Sequence, residues 1–265
     1  MPDSGEATYQ LVRGAGLGVA LFVVLALERF RPHERLRPAW RTNLGLWGID
    51  ALVMSALCGA CGWVLASWAS QRGLGLLAWA GAGGWVAAGA GVLGLDAISY
   101  VWHRANHRVP LLWRFHQVHH ADASFHVTTA LRFHPGELIL ALPVRLAVIL
   151  LLGVPPAGVL VFELVFGAAN LVEHGNVELP RRIDLRVRRV LITPALHRAH
   201  HVSDWRELNT NFGTVLSLWD RLAGTFRDSE PGRRVATGLP DRSSAVPPTL
   251  PESLLLPFTR RRAPA

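Results

Sequence analysis

The chain contains no lysine: all 27 of its basic side chains are arginine, against 19 acidic ones. So complete a preference reads as genome composition and is assigned no function. Charge of either sign is scarce. Only 17% of the 265 residues are charged and half are hydrophobic, where soluble domains carry about a quarter charged; mean hydropathy is positive. The net charge of +8 would suit nucleic acid, but the arginines bunch at the ends of apolar runs, as the positive-inside rule places them. No nucleic-acid partner is expected. Cysteine is limited to Cys58 and Cys61. This C-x-x-C could be a redox or metal motif in isolation. It lies inside the apolar stretch Leu52–Val64 and is expected to serve helix packing, without a disulfide. There is no G-x-G-x-x-G opening a βαβ unit and no H-E-x-x-H, which excludes a built-in dinucleotide domain and argues against a zinc hydrolase.

What is abundant is long apolar sequence. Residues 1–10 are polar and expected to be loose. Leu11–Leu27 is apolar apart from Arg13 and is followed by Glu28, Arg29, Arg31, Arg35, Arg37 and Arg41. A signal peptide has its positive charge before the apolar run and a cleavage site after it. The order here is reversed, so the segment reads as an uncleaved anchor with its C-terminal end in the cytoplasm. Leu44–Ala69 and Leu74–Leu95 are long enough to cross a bilayer, which takes roughly 20 apolar residues. The glycines of 81–94 suggest close helix contact. Leu138–Val154 and Ala157–Val172 flank Pro155-Pro156 as a shorter hairpin entering and leaving on one side. Arg145 and Glu163 lie about equally far from those prolines and are expected to pair, because ionisable groups in lipid are costly alone; snorkelling of Arg145 is the alternative. The fold class is all-α, a membrane bundle of three long spans plus a short hairpin under a cytoplasmic histidine-rich cap. The expected division is 1–95 for membrane helices and the arginine-rich loop, 96–227 for the histidine-bearing region including hairpin 138–172, and 228–265 for an irregular tail.

Histidine is concentrated. Ten of the twelve histidines are read as one constellation: His103 and His107; His116, His119 and His120; His197, His200 and His201; and His134 and His174, each at the foot of an apolar run. Residues at i, i+3 and i+4 share a helix face, so each cluster reads as a comb of imidazoles. Pro110 and Thr193-Pro194 supply helix starts, Pro135 opens the helix after His134, and Gly175 suits a helix end. Imidazole is the commonest ligand for borderline transition metals. Ten ligands exceed what one ion needs, so at least two metals are expected. His33 is read as a surface histidine and His126 is excluded. Asp96, Asp122, Glu137, Asn170, Glu173, Asn176 and Asp220 are candidates to orient the ligands.

These residues follow a known order. Asp96-x-x-x-Tyr100-x-x-His103-Arg-x-x-His107 leads to His116-x-x-His119-His120, then Arg132-Phe-His134-Pro135-x-Glu137 and Asn170-x-x-x-His174-Gly-Asn176. Thr193-Pro-x-x-His197-x-x-His200-His201, Asn211-x-Gly213 and Trp219-Asp220-Arg221-x-x-Gly224-Thr225 complete it. Residues 96–226 thereby resemble the fatty acid hydroxylase/sterol desaturase superfamily of integral membrane di-iron oxygenases. One departure is Ala223, where many members carry an aromatic residue. The resemblance implies metal ligation by all ten clustered histidines and two iron ions, with zinc as a substitute in a purified form. It implies O2 as co-substrate and a lipid substrate that is hydroxylated or desaturated. The electron donor is expected to be separate (a ferredoxin, cytochrome or reductase), since the chain has no room for a haem or flavin domain. The expected location is a bacterial inner membrane with the histidines facing the cytoplasm. The alternative is a non-catalytic membrane metal-binding or transport protein, which should carry its ligands near mid-membrane.

Overall fold

A computed structural model of the protein describes residues 4–57, 59–241 and 247–259. The described residues form helices α1 (Ser4–Phe30), α2 (Trp40–Leu57), α3 (Cys61–Gln71), α4 (Leu76–Trp79), α5 (Gly84–Arg108) and α6 (Pro110–His120). They continue with α7 (Pro135–Leu152), α8 (Pro156–Glu173), α9 (Arg181–Val187), α10 (Pro194–His200), α11 (Leu218–Leu222) and α12 (Leu250–Leu255). There is no named strand among them; pairing is limited to isolated bridges such as Pro32 with Val177. Five helical stretches are apolar and long enough to cross a bilayer: Ser4–Phe30, Trp40–Trp79, Gly84–Arg108, Pro135–Leu152 and Pro156–Glu173. Their outer faces leave Phe22, Leu52, Trp85 and Val86 more than 70% exposed, an apolar surface that a bilayer would cover. Inside, Ala66, Leu95, Ile149, Val154, Val159 and Phe162 knit α3, α5, α7 and α8 into one core. The protein is an integral membrane helical bundle.

Several sequence boundaries move. The chain is helical from Ser4, not loose to residue 10, because Tyr9 and Arg13 have partners inside: Tyr9 stacks on Trp63 and donates to Glu163, and Arg13 pairs with Glu163 at 2.8 Å. The apolar run from 44 to 69 is interrupted at Gly59 (φ +42), whose N–H bonds back to Met54. The run from 74 to 95 is not one span either. Glycines at 75, 81 and 84 take left-handed φ of 102°, 70° and 53°, so α4 is a single turn and the long helix starts only at Gly84. Gly75 is required by proximity as well: a Cβ there would lie 2.3 Å from the backbone of Gly153, the turn glycine between α7 and α8. The two hairpin turns therefore meet at one end of the bundle. The expected close contacts within 81–94 occur at Gly91 and Gly94, where a Cβ would strike Val154 and Leu152.

Arg145 and Glu163 do face each other, with Nη1 to Oε1 at 3.9 Å, but Arg13 is the closer partner. Cys61 is disulfide-bonded, which corrects the helix-packing expectation; Cys58 lies outside the described residues. The tail is irregular from 228 to 241 apart from turns, yet α12 is a formed helix with a Thr249/Glu252 capping box. It packs beside α2 in a cluster of Leu46, Trp113, Val118 and Leu256, with Leu250 and Leu254 against it.

Candidate metal centre

α5 runs unbroken through residues 95 and 96, so the first pair, His103 and His107, rides on the last turns of an apolar helix. α6 starts with Pro110 at its first turn, where a missing N–H costs nothing, and carries the next three histidines. α10 starts with Pro194 after Thr193. Thr193 does not cap with its side chain as expected; its hydroxyl donates to Asp184 at 2.8 Å. Gly175 also differs from expectation. It does not take a left-handed φ; a Cβ there would approach Val172 O at 3.0 Å and Val24 at 3.1 Å, so it is a close-packing position.

The histidines form two groups. His103, His107, His116, His120 and His200 make one, and His119, His174, His197 and His201 make the other, with donor atoms inside each group within 4.8 Å of one another. The combs are thus not single-sided. Adjacent residues on a helix point about 100° apart, and each His-His pair (His119-His120 and His200-His201) sends one ring to each group. All but His103 have 2% or less of their surface exposed. Burial lowers the pKa of His119, His120, His197 and His201 well below the ordinary value, and that of His174 and His200 to about 3. These rings are neutral, the form that binds metal.

The hydrogen bonds fix which nitrogen faces inward. Nδ1 of His174 reaches Asn170 O at 2.7 Å, Nδ1 of His119 reaches Arg132 O at 3.3 Å, and Nδ1 of His200 reaches Thr210 O at 2.7 Å. Nδ1 of His103 reaches Phe212 O at 2.8 Å. A carbonyl only accepts, so each Nδ1 carries the hydrogen and each Nε2 presents a lone pair. Yet Nε2 of His119 lies 3.0 Å from Nε2 of His174. Two bare lone pairs cannot bond to each other. A cation between them removes the conflict: metal–nitrogen bonds of 2.0–2.1 Å at tetrahedral or right angles put donors roughly 2.8–3.4 Å apart. The neighbouring Nε2 separations are 3.0 Å (His197 to His174), 3.1 Å (His201 to His197) and 3.2 Å (His120 to His116). In the five-histidine group, Nε2 of His103, His107 and His200 are buried with no hydrogen-bond partner. The donor set therefore fits two transition-metal ions.

Among the expected orienting residues, Glu137 accepts from Nδ1 of His116 at 2.8 Å and from Asn106 at 3.1 Å. Asn170 acts through its carbonyl, and a Glu173 oxygen lies 3.6 Å from Nδ1 of His197. Asp220 works at one remove: it accepts from the N–H groups of Phe212 and Gly213, both at 2.8 Å, and so fixes the loop whose carbonyl holds His103. Asp96 accepts from Trp219 at 2.7 Å. Asp122 accepts from Asn43 and Thr129 at 2.9 and 2.8 Å, and Asn176 ties to Glu34; these brace loops, not ligands. Sequence reasoning missed Thr210, Phe212 and Arg132, because a backbone carbonyl has no sequence signature. One signal existed: Asn211 sits at φ +54, a conformation asparagine tolerates, and this turn aims the carbonyls on either side of it at His200 and His103.

His134 is not brought to either group. Its Nδ1 accepts from Gly136 N–H at 2.9 Å as a helix cap, and its Nε2 contacts Leu254 O at 3.2 Å, so both nitrogens are engaged elsewhere. His126 is bonded to Glu28 at 2.6 Å. His33 is 4% exposed, not a surface residue, and lies 3.4 Å from Glu34.

A cavity of about 180 Å³ abuts both groups between α5, α7 and α8. Its polar floor is His103, His116, His119, His174 and His197, with Asn106, Glu137 and Glu173; its apolar walls include Leu95, Ile98, Leu138, Val144 and Phe166.

Fold and site together define an all-α membrane protein with two buried histidine clusters bordering one cavity with apolar walls. The chain belongs to the fatty acid hydroxylase family, which it matches over residues 88–225. It is 35% identical to ornithine lipid hydroxylase OlsE of Rhizobium tropici, over 49% of this chain and 38% of that protein. It is 31% identical to the alkylglycerol monooxygenase of Danio rerio, over 51% of this chain and 29% of that one. It is 27% identical to the cholesterol 25-hydroxylase of Rattus norvegicus, over 54% of this chain and 47% of that one. The matched region covers less than half the length of each of these relatives. No solved structure matches the chain.

Proposed function

We propose that the protein is a membrane-bound non-haem di-iron oxygenase that hydroxylates, or desaturates, a C–H bond of a lipid. The observation that carries this is the pair of bare, buried Nε2 lone pairs on His119 and His174 at 3.0 Å, part of two histidine groups that border one apolar cavity. The proposed ligands are His103, His107, His116, His120 and His200 for one ion and His119, His174, His197 and His201 for the other. Bound iron would supply O2 activation. The chain's own residues do the rest. Carbonyls of Asn170, Arg132, Thr210 and Phe212 and the carboxylate of Glu137 hold the imidazoles of His174, His119, His200, His103 and His116 in the tautomer that faces the metal. The apolar walls bind a hydrocarbon segment and exclude water from it. In hydroxylation one oxygen atom enters the C–H bond and the other leaves as water, so two electrons and two protons come from outside. A ferredoxin, cytochrome or reductase is the proposed source.

The proposed location is a bacterial inner membrane with the histidines on the cytoplasmic side, where Arg29 lies in the last turn of α1 and Arg31, Arg35, Arg37 and Arg41 follow it. The relatives' printed activities, on ornithine lipid, alkylglycerol and cholesterol, support a lipid substrate. A metal transporter would set its ligands within the spans. The groups here gather where α5 ends and α8 gives way to His174. Anaerobic purification in detergent with metal analysis tests the proposal. About two irons per chain, with O2-dependent oxidation of a membrane lipid extract on addition of a reductant system, is the expected result. A single zinc, unaffected by His119→Ala, overturns it.

A further inference from the structure

The cavity wall contains one charged side chain that metal binding does not use. Arg145 lies at the middle of α7, inside a span, and belongs to the cavity lining. An ionisable group at that depth marks function by default. Its surroundings leave it incompletely served. Among the described residues the one carboxylate within 4.0 Å of it, Glu163, is held first by Arg13 at 2.8 Å and by the Tyr9 hydroxyl; Arg145 Nη1 stands 3.9 Å from the other oxygen, beyond hydrogen-bond reach. Two guanidiniums thus share one carboxylate, leaving one positive charge in excess. The remaining contacts of Arg145 are the faces of Phe162 and Phe166, at 5.5 and 5.9 Å. Among the described residues no hydrogen-bond acceptor engages its five N–H donors. Its side chain is 40% exposed, so it is reachable.

We propose that Arg145 anchors the substrate: the cavity takes a long-chain amphiphile whose terminal oxygen acceptor, a carboxylate or a hydroxyl, binds the Arg145 guanidinium while the chain runs toward the histidines. This rests on the reading of the cavity as the oxygenase substrate site. Arg145 is eight residues beyond Glu137 on α7, which at 1.5 Å per residue is about 12 Å. Glu137 bonds a histidine directly. The oxidised carbon therefore lies on the order of 12 Å from the anchored oxygen, and Arg145 sets which carbon that is. The excess positive charge favours a carboxylate over a hydroxyl.

The test uses metal-free protein in detergent and displacement of a fluorescent fatty acid, cis-parinarate, by palmitate, 1-hexadecanol and hexadecane. A hydrogen bond to a charged group predicts that hexadecane competes about tenfold more weakly than the better of the two oxygenated ligands. Palmitate ahead of hexadecanol identifies the carboxylate, and the reverse order the hydroxyl. Arg145→Met should abolish the gap, Arg145→Lys should keep most of it, and Arg13→Met, which leaves Glu163 to Arg145 alone and cancels the excess positive charge, should narrow any lead of palmitate over hexadecanol. Equal competition by all three ligands on wild-type protein overturns the assignment, as does a gap that survives Arg145→Met. Cobalt uptake by the histidines, measured separately, reports folding; if Arg145→Met takes up none, Arg145→Gln replaces it, and the wild-type comparison still decides. The same uptake separates the two claims. Normal cobalt binding without acceptor preference sinks the anchor alone, whereas acceptor preference without cobalt binding sinks the oxygenase reading alone.

Discussion

The two histidine groups share α6 and α10, but one adds the end of α5 and the other the end of α8, and they are supported differently. In the group of four, His119 and His174 are tethered through Nδ1 to carbonyls of Arg132 and Asn170, His197 sits by Glu173 at 3.6 Å, and the Nε2 atoms form an unbroken series at 3.0–3.1 Å. In the group of five, His103 and His200 depend on carbonyls of the 210–212 loop and His116 on Glu137, while neither nitrogen of His107 has a partner. One group is held mostly by helix ends and the buried Arg132. The other is held by a loop and a single carboxylate, and carries a spare donor. A four-donor site has no redundancy, and a five-donor site does.

The largest expected effect follows from that asymmetry. His197→Ala leaves three donors in its group, and bound iron should fall by about one per chain with activity lost. His107→Ala leaves four donors in the other group, so iron should stay near the wild-type content with weakened affinity. Metal analysis after graded chelator treatment checks both. Equal losses from the two variants would erase the distinction. Glu137→Gln comes next. It preserves shape while weakening the bond to His116, and loss of such an outer partner typically costs 10–100-fold in metal affinity or activity. The deficit should fall on the five-histidine group, visible as selective loss of one ion.

The fold was legible where physics acts locally. Apolar length fixed the spans at α7 and α8 to within about three residues, while α1 starts seven residues before its expected Leu11, and Pro110, Pro135 and Pro194 marked helix starts. The broken spans were not legible, because apolar composition is indifferent to a left-handed glycine at 59, 75 or 81. Of the ten candidate ligands, nine converge in space. The tenth, His134, has the same composition context as His174, and only its cap geometry separates them. The division of each His-His pair between groups was available from helix geometry alone, at about 100° per residue.

Acidity tests the buried state of both groups in metal-free protein. His174 and His200 are lowered by burial to about 3, below the unfolded value near 6.5. The unfolded chain therefore binds protons first as pH falls, and stability drops with it. The stabilising effect of keeping these rings neutral is complete above about pH 6.5 and is lost progressively toward pH 3. The melting temperature of metal-free protein should fall steadily between pH 7 and pH 5. A flat profile over that range would mean the rings are accessible to protons in the native state.

The smallest effect should come from His134→Ala. Its imidazole caps α7 through Gly136 N–H at 2.9 Å and contacts the α12 carbonyl of Leu254, so its loss removes a helix cap and loosens the C-terminal segment. Loss of a cap costs about 1 kcal/mol. Iron content should be unchanged in both groups, with a small fall in melting temperature. A lost ion in this variant would return His134 to the ligand set and remove the sharp boundary between the four-donor and five-donor groups, since a tenth donor would then have to reach one of them by a movement of α7's first turn.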